Sequence, residues 1–97
     1  MPTYIALTNY TEQGIRTVKN APARLNAVKK QFKALGGELK AFYLTLGPYD
    51  IVTIVEAPDD ETAAAISLAI GSGGNVRTLT MKAFTEADFR KIIKTLP

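Results

Sequence analysis

The chain has 97 residues, 46% hydrophobic and 22% charged, with a formal net charge of +3. This length buries the core of one compact domain without staples and leaves no room for two. It contains neither cysteine nor histidine, which excludes disulfides, thiolate nucleophiles, zinc ribbons and the commonest general base.

The segment Thr3 to Asn9 is rich in β-branched and aromatic residues and short enough for a strand. From Ile15 the apolar positions run Ile15, Val18, Leu25, Val28, Phe32 and Leu35, with Lys19, Arg24, Lys29, Lys30 and Lys33 off that stripe. Such spacing marks one face of a helix. Pro22 belongs in a first turn, so the main helix is expected to start near Asn20, which can cap it, after a short turn or helix over Glu12 to Lys19. Gly36-Gly37 ends it.

Glu38 to Leu46 and Asp50 to Ala57 are two β-rich runs joined by Gly47-Pro48-Tyr49, a tight hairpin. Pro58-Asp59-Asp60 opens a second helix with an aspartate cap, its body Ala63 to Ile70 is alanine-rich, and Gly71-Ser72-Gly73-Gly74 stops it. That glycine run lacks the Walker lysine and serine and follows a helix C-terminus, whose dipole repels anions, so it is no phosphate loop. Asn75 to Phe84 forms strand four, and Thr85 with Asp88 starts a last helix carrying Phe89, Ile92, Ile93 and Leu96.

The order β-α-β-β-α-β plus a C-terminal helix is a ferredoxin-like α+β arrangement, one domain over residues 1–97. Its four-stranded antiparallel sheet should have strands one and three in the centre. No apolar run reaches the roughly 18 residues of a membrane span, and no leader is visible, so a cytoplasmic location without a membrane partner is expected. The acids form no ligand-spaced cluster, and neither a metal nor a cofactor is expected. The basic side of the first helix reads as a solvated face, and no aromatic nucleic-acid motif accompanies it, so no nucleic-acid partner is expected.

Placing Leu46 opposite Ile51 and sorting by alternation puts Phe42, Leu44, Leu46, Ile51 and Val55 against the helices, joined by Ile5, Leu7, Leu79 and Met81. The other face then collects Tyr4, Ala6, Thr8, Ala41, Tyr43, Thr45, Val52, Ile54, Thr78 and Thr80. Few charges lie there, and Ile51 to Val55 does not alternate as a strand with one wet face does. Strand two is also a long aromatic edge. A homo-oligomer, sheet packed on sheet, resolves both; the alternative is a loop or the last helix over the open face.

Gly47-Pro48-Tyr49-Asp50, on its hairpin before Ile51 to Val55, resembles the Gly-x-Tyr-Asp signature of the GYD-domain family of small bacterial proteins. The likeness extends to Thr3-Tyr4-Ile5, to Asn75 through Thr80 and to Ala83-Phe84. It implies a dimeric α/β-barrel type of fold rather than an activity. More distantly, this hairpin and the later Val76-Arg77-Thr78 strand resemble the effector-binding domain of leucine-responsive regulators. That comparison implies oligomers binding amino acids or similar effectors at subunit interfaces, without the DNA-binding half.

Asp50, at a turn between apolar strands, is the candidate catalytic acid or base, although aspartate is also a common turn former. Tyr49 is a candidate pocket wall or subunit anchor. Tyr4, Tyr43, Thr45, Thr78 and Thr80 offer hydroxyls to orient a small ligand, and Arg77 is a strand-end surface arginine or a partner for Asp50 or for a ligand carboxylate. The residues thus support a small-molecule-binding or sensing domain. The alternatives are a cofactor-free isomerase or monooxygenase acting through Asp50 on a small aromatic or carbonyl compound, and a structural oligomer without a ligand.

Overall fold

The computed structural model describes residues 1–97. Its strands are β1 (Thr3–Tyr10), β2 (Glu38–Leu44), β3 (Ile51–Glu56) and β4 (Val76–Ala83), and its helices α1 (Glu12–Arg16), α2 (Ala21–Ala34), α3 (Asp60–Ser72) and α4 (Glu86–Lys94), with a 3-10 turn at Val18–Asn20. All strands pair antiparallel in the order β2-β3-β1-β4. β3 and β1 are therefore central, as the ferredoxin-like pattern requires.

Local chemistry sets the element ends. Pro22 lies in the first turn of α2, where no amide is needed. Asn20 occupies the position before that helix without a side-chain capping bond, contrary to the cap expected of it, because the preceding 3-10 turn already holds it in helical conformation. The Asp59 side chain accepts from the Thr62 amide at 2.8 Å, and Thr85 accepts from the Asp88 amide at 3.1 Å, so both expected caps form. Gly36 ends α2 at φ 84°, in the left-handed region that glycine enters freely.

The hairpin register differs from the expected one. Leu44, not Leu46, pairs with Ile51, and a bulge falls between Leu39 and Ala41. The turn is two residues longer on the β2 side because Thr45 closes it: its amide donates to the Asp50 carbonyl at 2.8 Å and its hydroxyl to the Tyr49 carbonyl at 2.6 Å. A slip of two preserves side-chain parity, so β2 and β3 present the expected faces, while Leu46 leaves the strand and is fully exposed.

β1 and β4 are turned over relative to expectation. Tyr4 pairs with Val55 and Thr8 with Ile51, and these four are buried beneath the helices. Across β4 the same side carries Thr78, Thr80 and Lys82. Ile5, Leu7, Leu79 and Met81 therefore lie on the open face with Val52, Ile54, Ala41 and Tyr43. Hydrophobicity could not decide the parity because both faces bear apolar residues. What decides it is that the Tyr4 ring completes the core while its hydroxyl reaches Asp60. The open face is consequently more apolar than alternation suggested.

The helix-side core comprises Tyr4, Phe32, Val55, Ala57, Ala63 and Ile66, flanked by Val28, Leu39 and Ile70. It fills the end of the sheet where β1 begins and β3 ends. At the other end α1 lies against the start of β4: Thr11 donates its amide to Asn75 at 3.0 Å and its hydroxyl to Gly74. Gly14 is buried in that contact, and a Cβ there would stand 1.8 Å from the Asn75 carbonyl oxygen. No element packs closely against α4, and Tyr43, Leu79 and Met81 on the open face are exposed. No helix is long and apolar enough to cross a membrane.

Candidate functional site

Between α2, α3 and the helix side of the sheet lies an apolar cavity of about 750 Å³. Short side chains on three neighbouring strands leave room for it beneath the helices: Ala6 and Thr8 on β1, Thr53 on β3, Thr78 and Thr80 on the edge strand β4. Its walls are aliphatic and aromatic, from Leu25, Val28 and Phe32 on α2, Phe42 and Leu44 on β2, and Ile70 on α3. Polar groups are few and spread around it, among them Tyr10, Arg24, Gln31, Asp50 and Asn75. Such a volume falls within the roughly 300–1,000 Å³ of small-molecule sites, which likewise combine apolar walls with sparse polar groups.

Asp50 lies at the end of the hairpin turn and lines this cavity. Its Oδ2 accepts from the Tyr10 amide at 3.0 Å, and its own amide donates to the Thr8 carbonyl at 2.9 Å. The residue thus ties the β2–β3 turn to the end of β1, so its structural role is met in full. Arg24 is fastened to α1 through the Gly14 carbonyl and both oxygens of Thr17, at 3.0–3.3 Å. Its guanidinium is therefore held at the cavity wall.

Of the residues expected to carry function, Thr45, Asp50, Thr78 and Thr80 do meet around one cavity. They do so under the helices and not between sheets, because of the reversed parity of β1 and β4. Tyr43 faces out from the open side and Tyr49 sits half-buried in the turn; neither lines the cavity. Arg77 is exposed on the open face, opposite Asn9, so the proposed pairing with Asp50 does not form.

Tyr4 has a different assignment. Its buried hydroxyl donates to Asp60 Oδ1 at 2.5 Å, and Lys82 Nζ approaches the same carboxylate at 3.2 Å. Burial first, and then the bond to Asp60, push the tyrosine pKa up to about 12, while the bonds from Tyr4 and Lys82 hold the Asp60 carboxyl below its usual range. A phenol so disposed stays protonated at neutral pH, and the group anchors the first turn of α3 to β1 and β4. The sequence reading missed Asp60, Lys82 and most of the α2 wall. The signal for the cavity was nonetheless present: Ala6, Thr8, Thr78 and Thr80, small residues at alternate positions of adjacent strands.

Among curated proteins, the chain is 39% identical over 89 residues to the "Glutamine synthetase and cystathionine beta-lyase binding protein" of Thermus thermophilus, covering 91% of this chain and 94% of that protein. A solved Thermus thermophilus protein superimposes with a TM-score of 0.56 at 26% identity, over 88% of this chain and 95% of its own. A feast or famine regulatory protein from M. tuberculosis, complexed with L-methionine, gives a TM-score of 0.67 at 16% identity, over 88% of this chain. The chain spans about half of that regulator, 51% of its length, and the likeness is one of fold. The GYD domain model matches residues 4–93, and the chain belongs to that family.

Proposed function

We propose that this chain is a homo-oligomeric binding or sensing module that takes a small, largely apolar molecule bearing one or two polar groups into the cavity between α2, α3 and the sheet. The observation that carries the reading is the cavity itself, with its floor of small residues, apolar walls, and Asp50 and Arg24 among its few charged groups. The fold shared with a regulator complexed with L-methionine supports an amino acid or a similar compound as the first class to test. A thermal-shift screen of amino acids and of aliphatic and aromatic carboxylic acids is expected to give stabilising hits. Ala6→Leu with Thr78→Leu, which fill the floor, should abolish them without unfolding the domain. A crystal structure with α2 collapsed onto the sheet and no remaining space would overturn the reading.

Oligomerisation is supported by the apolar open face, where Leu79 and Met81 are exposed and Ile5, Leu7, Val52 and Ile54 are only partly buried. Light scattering at micromolar concentration should report more than one chain per particle.

A second reading, docking to a metabolic enzyme, is favoured by the 39% identical relative, which is named as a binding protein for glutamine synthetase and cystathionine β-lyase. Co-elution of purified glutamine synthetase or cystathionine β-lyase with this chain tests it, and separate elution of both enzymes counts against it. The two readings are compatible, because a ligand held beneath the helices can alter the surface that an enzyme meets.

A further inference from the structure

Two apolar surfaces of this chain lack cover, and only Phe84 and Thr85 separate them. The first is the open face of the sheet, where Tyr43, Leu79 and Met81 are 59%, 50% and 41% exposed. The second is α4. Its Phe89, Ile92 and Ile93, with Leu96 just past its end, recur at helical spacing and are 42–61% exposed, and Phe84 just before it is 62% exposed. Glu86, Asp88, Arg90, Lys91 and Lys94, with Ala87, make up the rest of the helix.

A nine-residue helix is too short to hold itself together in water. α4 has a capping bond and an Arg90–Glu86 pair at 2.9 Å, yet exposed pairs of this kind contribute only tenths of a kcal/mol. No element of its own domain packs closely against it. Its stripe therefore lacks the burial that stabilises helices of this length.

We propose that α4 is a clasp that buries its Phe89, Ile92, Ile93 and Leu96 stripe on a second copy of this chain, beside the paired sheet faces. The inference rests on the oligomeric reading above and adds which residues hold the copies together. Area argues for a second copy as the occupant. Taking roughly 150–250 Å² for a whole aromatic side chain and somewhat less for an aliphatic one, the exposed large residues of the sheet face alone offer about 500 Å² in a pair of copies, well short of a stable interface. With Phe84 and the α4 stripe the pair reaches about 1,400 Å², within the ~1,200–2,000 Å² of stable dimers. Two-fold symmetry uses each surface twice, so one pairing covers both arms and both sheets. The alternative occupant, an anionic lipid surface, has little to attract it: Glu86 and Asp88 offset two of the three cationic residues of α4.

The test compares the full-length chain with Ile92→Asp/Ile93→Asp and, as a control on the polar side, Lys91→Ser. Mass is read by light scattering across a dilution series and fold by circular dichroism. The clasp predicts a wild-type dimer, a dissociation constant raised at least about 100-fold in the double variant with the sheet signal retained, and an unchanged control. A double variant that dimerises like wild type overturns the clasp and leaves the oligomeric reading standing on the sheet alone. A monomeric wild type overturns both, and α4 inserting into anionic vesicles while the protein stays monomeric does the same. Should the double variant fail to fold, Phe89→Ala with Leu96→Ala provides the same comparison, and unchanged dimerisation there is equally decisive against the clasp.

Discussion

Gly14→Ala sets two physical effects against each other. In a helix on its own, alanine is favoured over glycine by about 1 kcal/mol, so α1 considered alone predicts stabilisation. In the folded chain the new Cβ would stand 1.8 Å from the Asn75 carbonyl oxygen, where ordinary contact begins at 3.4 Å. The obstacle is backbone at the residue just before the edge strand β4, so α1 must retreat by about 1.6 Å. That displacement breaks the Thr11 amide bond to Asn75 at 3.0 Å, the Thr11 hydroxyl bond to Gly74, and the Gln13–Asn75 side-chain bond at 3.0 Å. At about 1 kcal/mol each, less the propensity gain, the net loss is about 2 kcal/mol. For a domain of this size the midpoint of thermal unfolding should fall by roughly 8–16 °C. Urea titration and thermal melts at one fixed protein concentration measure it. A loss below about 0.5 kcal/mol, or any stabilisation, would show that α1 is not held against β4 as described.

Asp60 is held below the ordinary carboxylate pKa by Tyr4 and Lys82. A depressed folded-state value contributes stability above the unfolded pKa and loses it as pH falls through the folded one, so stability should decline below about pH 4. Asp60→Asn should flatten that acid limb, and an unchanged limb in urea titrations would contradict the assignment. Tyr4 carries the opposite sign: its pKa is raised to about 12, so its contribution is intact below pH ~10 and disappears as pH climbs toward the folded value. Tyr4→Phe should therefore remove a strongly alkaline step from the tyrosinate absorbance titration, and a titration curve without such a step in the parent chain would refute it. Asp50→Ala deprives the half-buried Tyr10 amide of its acceptor and is expected to cost about 1–2 kcal/mol in chemical denaturation. Asp50→Asn, which keeps an oxygen acceptor, should lose less.

Much of the fold could be read from residue chemistry acting over short distances. Pro22 and Gly36 bound the long helix, Asp59 and Thr85 cap the later ones, and the β-branched runs lie in the four strands, because each of these effects involves only neighbours in the chain. The hairpin was placed correctly, but its register was two residues off. Closure by Thr45 onto Tyr49 and Asp50 depends on the turn's three-dimensional path.

The sequence by itself determined the order of elements, the central position of β1 and β3, and the apolar character of both sides of the sheet. It could not determine which side of β1 and β4 faces the helices. Ile5 and Leu7 look more like core than Tyr4 and Thr8, and alternation is silent when both faces are apolar. Only the tertiary structure decided this, through the Tyr4 hydroxyl reaching Asp60 on α3 and the pairing of Tyr4 with Val55 and Thr8 with Ile51. That choice left small threonines and an alanine beneath the helices, opening the cavity, and sent Leu79 and Met81 outward to the exposed face of the sheet.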